Sequence, residues 1–327
     1  MESILSNQYG FTFHLVSDIH LELMKTPYKN IFSDIKSEFI ADVLFLAGDI
    51  GHPLRYQDAL KSWLKEVSQH FKAVIYVPGN HEYYQKASGK HALSITEVNK
   101  ALIQYKAEIS NLYVLNPGVI EIGNRVVIGA TLWTYVPKHA EDMVSEIMND
   151  YRMIYTISPS KIKSGSNDKN KSISNLKDFD NGLLSIPSTS YQKVRRKKQG
   201  LLTVKNTVEM HETDLFFVTE QLKRASVLNK TALLCTHHPP MLLNVSSDSN
   251  QSPLNNPVMH AYGTDLLYLF RDYGQAENST LEWALHGHTH FNHLTECHGT
   301  KVYSNARGYH GKHTGSPFNI NEIKLFS

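Results

Sequence analysis

The chain has 327 residues, 41% of them apolar, and a formal net charge of +2. That content suits a globular protein with a full core, and no run of about eighteen apolar residues occurs, so a membrane-spanning helix is not expected. Two cysteines, Cys235 and Cys297, exclude a disulfide framework, and the opening MESILSNQYG lacks a signal-peptide pattern, so a cytoplasmic protein with reduced thiols is expected.

In chain order, the first apolar run, Phe11 to Val16, leads into Ser17-Asp18-Ile19-His20. Val43 to Ala47 leads into Gly48-Asp49, and a helical stretch follows from Tyr56 to Phe71. Ala73 to Val77 leads into Pro78-Gly79-Asn80-His81, and a second helical stretch runs from Ser94 to Glu108. From about Thr156 to Gln199 the periodicity stops, and the sequence is rich in Ser, Lys and Asn. This stretch reads as a long loop or disordered insertion in a single domain spanning 1–327. A helix is expected from Val208 to Leu222. Ala232 to Cys235 then leads into Thr236-His237-His238-Pro239, and Trp283 to Leu285 into His286-Gly287-His288-Thr289-His290. Phe291 to Glu296 and Lys301 to Ser304 read as a hairpin turning at Cys297-His298-Gly299-Thr300. Short, nearly continuous apolar runs suit strands covered on both faces, and their alternation with helices predicts an α/β architecture. Every polar cluster falls at the carboxyl end of its strand, where open α/β sheets place their ligands.

The modest net charge hides an asymmetry. From Lys161 to Lys198, ten Lys or Arg stand against three Asp, which leaves the rest of the chain at −5.

An Asp-x-His or Gly-Asp pair at a strand end is usually a turn or a cap. Here Asp18-x-His20, Gly48-Asp49, Gly79-Asn80-His81-Glu82, His237-x-Pro239 and Gly287-His288-x-His290 occupy five strand ends in order, which scattered caps and core histidines do not explain. The set closely resembles the calcineurin-like metallophosphoesterase superfamily, nearest its small single-domain bacterial-type members. Leu132-Trp133, Met148-Asn149-Asp150-Tyr151-Arg152, the Thr236-His237-His238-Pro239-Pro240 run and Asn305-Ala306-Arg307-Gly308-Tyr309 extend the likeness. It covers most of the chain outside the basic insertion. It implies the metallo-dependent phosphatase fold, a four-layer α/β/β/α sandwich of two mixed sheets flanked by helices.

By that resemblance, Asp18, His20 and His290 hold one metal ion, Asn80, His237 and His288 hold a second, and Asp49 bridges them. The chemistry is coherent. A carboxylate can span ions about 3.5–4 Å apart, and a neutral amide keeps the ligand charge low. Imidazole-rich sites favour divalent or trivalent Mn, Fe, Zn, Co or Ni over Ca or Mg, without selecting among them. The implied reaction is hydrolysis of a phosphate mono- or diester by a hydroxide held between the ions. His81, a non-ligand, would protonate the leaving oxygen or stabilise its charge.

His238 and Arg307 are candidate substrate-binding residues, the latter through its bidentate fork. His52 reads as a loop residue, His286 as a core histidine, and Glu82 as orienting its turn. Tyr83 and Tyr84 read equally as pocket wall or core, and Cys235 as an inert buried thiol. Protein-phosphatase activity is disfavoured, because Gly48-Asp49-Ile50-Gly51-His52-Pro53 lacks the Asp and Arg of the GDxVDRG motif. A small phosphate ester is therefore the expected substrate. The alternative is a nucleic-acid binder or nuclease that uses the basic insertion for contact.

Overall fold

A computed structural model of the chain describes residues 10–33, 35, 40–85, 92–158, 200–242, 256–274, 279–312 and 314–327. The first strands, β1 (Phe11–Val16), β2 (Val43–Ala47) and β3 (Ala73–Val77), keep the expected bounds. Between them comes α1 (Gln57–Ser68), and after β3 comes α2 (Ile95–Glu108), where the Glu97 carboxylate accepts the Ser94 N–H at 2.8 Å. That contact satisfies a donor the helix start leaves free. There follow β4 (Leu112–Val114), β5 (Gly118–Ile122), β6 (Arg125–Ala130), α3 (Glu141–Ile147) and α4 (Asp150–Met153). The helix expected over 208–222 is longer: α5 runs Val204–Val227, started by the reciprocal hydrogen bonds of Thr203 and Asn206. Then come β7 (Thr231–Thr236), α6 (Leu267–Tyr273), β8 (Leu281–His286), β9 (Phe291–Cys297), β10 (Thr300–Ser304), β11 (Thr314–Gly315) and β12 (Lys324–Phe326).

The strands form two sheets, ordered β12-β1-β2-β3-β4 and β11-β9-β10-β8-β7-β6-β5. Both are mixed. β1 to β4 are mutually parallel with β12 antiparallel at the edge, and β6, β7, β8 and β10 are parallel with β5 and β9 antiparallel.

Alternation along the strands sorts the apolar side chains into layers. On β2, Val43, Phe45 and Ala47 face the second sheet, where they join Phe13, Ile75, Leu233, Trp283 and Leu285. Phe13 and Trp283 meet edge to face, ring centroids 5.2 Å apart. Leu44 and Leu46 face outward to Leu60, Trp63, Leu64 and Val67 of α1. On the far side, Ile128, Leu234 and Ala284 pack against Val218, Leu222 and Ala225 of α5 and Leu269 and Phe270 of α6. The result is the expected α/β/β/α sandwich, and continuous apolar runs were right for strands buried on both faces.

The basic insertion lies almost wholly outside the described residues, but its ends do not. Tyr155 bridges Leu201, and Thr156 N–H donates to Gly200 C=O at 2.7 Å. Among the described residues, no helix is long and apolar enough to cross a membrane.

Candidate metal centre

The five expected strand ends meet. Asp18 and His20 follow β1, Asp49 follows β2 and Asn80 follows β3, all on the first sheet; His237 follows β7 and His288 and His290 follow β8 on the second. Parallel strands put all these ends on one side of the sandwich.

The side chains divide into two groups around Asp49. In one, Asp18 Oδ1 is 3.3 Å from His290 Nε2, which is 3.4 Å from His20 Nε2, and His20 Nε2 is 3.9 Å from Asp49 Oδ2. In the other, His237 Nε2 lies 3.1 Å from Asn80 Oδ1, 3.2 Å from His288 Nδ1 and 3.4 Å from Asp49 Oδ1. Each oxygen of Asp49 thus serves a different group, and each group draws on both sheets.

Hydrogen bonds behind the centre settle which atoms face it. His237 Nδ1 lies 2.9 Å from the Ala47 carbonyl, which can only accept, so the ring proton sits on Nδ1 and Nε2 presents a lone pair. Asn80 Nδ2 donates to Asp150 Oδ1 at 2.9 Å, which turns Asn80 Oδ1 toward the centre. The inward atoms are therefore acceptors crowded on acceptors, an arrangement that a cation between them relieves. Bonds of about 2.1 Å would put ligand atoms roughly 3.0–3.4 Å apart, close to the spacing within both groups. His20 Nδ1 and His288 Nε2 are buried without a partner among the described residues. Burial first, then the charges of Glu82 and Asp18, push the Asp49 carboxyl well above the usual range, a cost that a bound cation offsets. Burial also works against ionising Asp18, but the facing imidazoles, His290 foremost, hold its carboxyl below the usual range. The residues present fit a pair of metal ions.

The backbone is strained here. Asp18, His20, Asp49, His288 and His290 all have positive φ, between 49° and 70°. Non-glycine residues rarely adopt this region, and each such residue costs on the order of 1–3 kcal/mol. His288 and His290 thus leave a left-handed turn rather than an extended strand end. Hydrogen bonds fix these conformations: Asp18 N–H to Gly48 C=O and His20 N–H to Asp49 C=O, both 3.0 Å, and Gly287 N–H to His237 C=O, also 3.0 Å. The Asp18 carboxylate accepts the His288 N–H, Oδ2 at 3.0 Å, and so ties the first sheet to the second. Gly79 leaves space that no side chain could share, since a Cβ there would lie 2.3 Å from Asp49 Oδ1.

Glu82 does more than orient its own turn. Its buried carboxylate accepts the N–H groups of Gly79 at 2.6 Å, Ile50 at 2.7 Å and Asp49 at 3.0 Å, and the Tyr76 hydroxyl at 2.9 Å. It therefore clamps the loop after β2 to the loop after β3.

His81 donates its N–H to Asp49 Oδ1 at 2.9 Å and keeps its ring at the rim, with Nε2 4.0 Å from Asp49 Oδ2. His238 is fully buried. It packs its ring on His288 at 4.3 Å, and its Nδ1 lies 3.1 Å from the Thr131 carbonyl. Arg307 is half-buried and donates from Nη1 to the Ile19 carbonyl at 3.3 Å, between the candidate ligands Asp18 and His20. His286 is a core histidine, its Nε2 3.0 Å from His293 Nε2. His52 is buried beside the centre, with Nε2 3.6 Å from Glu22 Oε1. Tyr83 is core, while Tyr84 stacks on His81 at 4.1 Å.

Sequence reasoning gave no role to Asp150, Tyr262 or Tyr309. Asp150 Oδ1 also accepts the Tyr84 hydroxyl at 2.6 Å; Tyr262 lies against His288 at 5.6 Å; Tyr309 lies on His20 at 4.4 Å. For Asp150 and Tyr309 the only signal was membership of the short matching segments around residues 150 and 309, and Tyr262 had none.

The chain resembles known proteins in sequence and in fold. The family model for calcineurin-like phosphoesterases matches residues 11–292. The chain is 24% identical over 315 residues, 93% of each sequence, to "Uncharacterized protein L509" of Acanthamoeba polyphaga mimivirus. The crystal structure of the phosphopantetheinyl hydrolase PptH from Mycobacterium tuberculosis aligns with a TM-score of 0.56 at 13% identity, over 91% of this chain and 90% of that one. At that identity the likeness is one of fold.

Proposed function

This chain belongs to the calcineurin-like phosphoesterase family, and on that premise we propose that it hydrolyses phosphate mono- or diesters at a centre of two transition-metal ions. The observation that carries the reading is the division of Asp49, with one oxygen toward His20 and the other toward His237. Asp18, His20 and His290 would hold one ion, Asn80, His237 and His288 the other, and Asp49 both. Mn, Fe, Zn, Co and Ni all suit four imidazoles, two carboxylates and an amide.

When bound, such a pair supplies Lewis acidity toward phosphoryl oxygens and a nucleophile from water near neutral pH. The protein's own part is positional. The clamp at Glu82 and the strained turns hold the donors in place, so little reorganisation is needed when charge develops. His81 stands at the open side, placed to hydrogen-bond the oxygen that leaves phosphorus. Arg307 and His238 support the phosphate from the flanks. The segment Ile50-Gly51-His52-Pro53 after Asp49 argues for small esters rather than phosphoproteins.

The test is hydrolysis of aryl phosphate mono- and diesters by protein loaded in turn with each of the five metals. Activity with at least one metal is expected, and Asp49→Asn should lower it by roughly 10²–10³-fold or more with the fold retained. Metal-loaded wild-type protein that cleaves neither ester class would sink the proposal.

A further inference from the structure

The loop after Asp49 supplies no carboxylate to His81. Its ring is partnered from the far end of the chain instead: the Tyr309 hydroxyl lies 2.8 Å from His81 Nε2, the same nitrogen that faces Asp49. The Tyr309 ring lies nearly flat on His20, planes 25° apart with centroids at 4.4 Å, and meets His290 edge-on at 4.8 Å.

Exposure locates the mouth of the centre. The side chains of Asp18, His20, Asp49 and His237 are at most 3% exposed, whereas those of His81 and His290 are each 17% exposed. Tyr309 spans these two and is itself 39% exposed. An ester entering from solvent therefore meets the Tyr309 hydroxyl and His81 together.

The fold holds Tyr309 there. The N–H groups of Arg307 and Gly308 donate to Ser17 and Asp18 C=O, each at 3.0 Å, and Thr314 N–H donates to His290 C=O at 2.7 Å. Gly308 has a φ of 74°, and a Cβ there would lie 1.8 Å from Lys312 C=O, so only glycine makes this turn. The strap is thus fastened to the backbone of two ligand residues, one from each sheet.

We propose that Tyr309 is a catalytic residue, its hydroxyl donating a hydrogen bond, alongside His81, to the ester oxygen that departs from phosphorus. The role rests on the phosphoesterase reading above. As the P–O bond breaks, its electron pair goes to the departing oxygen, where negative charge grows. The phenol stabilises that charge without giving up its proton, and the alcohol's proton comes from the water consumed. A donor that acts on developing charge matters most when the leaving group is poor.

Tyr309→Phe keeps the stack on His20 and removes only the hydroxyl. The full chain, loaded with the metal giving the fastest wild-type rate, is assayed on p-nitrophenyl and phenyl phosphate and on their methyl diesters. Unchanged metal content and melting midpoint verify the fold. The variant should lose roughly tenfold or more in kcat/KM on the phenyl ester and no more than about threefold on the p-nitrophenyl ester. Tyr309→Phe combined with His81→Asn should be little worse than His81→Asn alone. Equal losses on both leaving groups, or additive losses in the double variant, overturn the role and leave the hydrolase reading standing. A wild type inactive on all four esters overturns both.

Discussion

Asn80, in the second group, and Asp150 behind it are both polar and buried, yet only one was legible. Asn80 stands in a Gly-Asn-His-Glu run, whose glycine and histidine mark it. Asp150 lies 70 positions away in an unremarkable helical turn, and only folding brings its Oδ1 to 2.9 Å from Asn80 Nδ2. An amide is nearly symmetric in shape, so the partner on its nitrogen decides which end the centre receives. On the proposed assignment, Asp150→Ala should weaken the ion that Asn80, His237 and His288 would hold by roughly 10–100-fold while sparing the other. Titration calorimetry reads this as two tight sites in wild type and one in the variant. Two undiminished sites in the variant would show that Asp150 does not orient the amide.

At the scale of elements, the long helix α5 reaches across its sheet to the loop after β6. Asp214 Oδ2 accepts the Leu132 N–H at 2.9 Å, and His211 Nδ1 hydrogen-bonds the Trp133 carbonyl. The loop in turn accepts the His238 N–H at Thr131 C=O, 3.2 Å, so the helix supports the centre at one remove. Burial pushes the Asp214 carboxyl from its ordinary 3.8 up to about 7, although the N–H groups of Leu132 and Trp133 pull it down. The folded state therefore holds this proton more tightly than the unfolded chain. Its contribution is full below about pH 4 and is lost as pH rises through about 7. Between those limits the metal-free wild type should lose more stability than Asp214→Asn, by up to a few kcal/mol in order of magnitude. Denaturant midpoints at several pH values measure the difference, and parallel curves for the two proteins would refute it. The helix was legible from its periodicity, but this clamp was not, because a polar residue on an apolar face gives no sign of which backbone it meets.

For the whole molecule, the decisive fact is that each group of ligands takes members from both sheets. An ion bound there would act as a staple between the two halves of the sandwich. Ions binding the folded state alone stabilise it by about 2.7 kcal/mol at a hundredfold excess over Kd. Metal should thus raise the melting midpoint by roughly 3–8 °C, and chelation should return it to the starting value. The rise should shrink in Asp49→Asn, which weakens the shared ligand. A midpoint indifferent to metal would mean that the sheets are not joined through the centre.

By itself the sequence determined strands β1 to β3 and β7 to β10, though not β4 to β6, β11 or β12, together with the clusters at the strand ends and the residue types of the centre. Apolar runs and turn chemistry act over a few neighbours, so Val43 to Ala47 leading into Gly48-Asp49 declares both a strand and its exit. The sandwich layers followed from the same pattern, joined to the family resemblance. What only the tertiary structure decided depends on contacts made across tens to hundreds of positions. The left-handed backbone at Asp18, His20, Asp49, His288 and His290 is held by hydrogen bonds between separate strand ends. The inward face of Asn80, the lone pair of His237 and the hydroxyl on His81 are each set by a partner that no local pattern names. Local sequence can specify a donor, but its direction is fixed by whatever packs behind it.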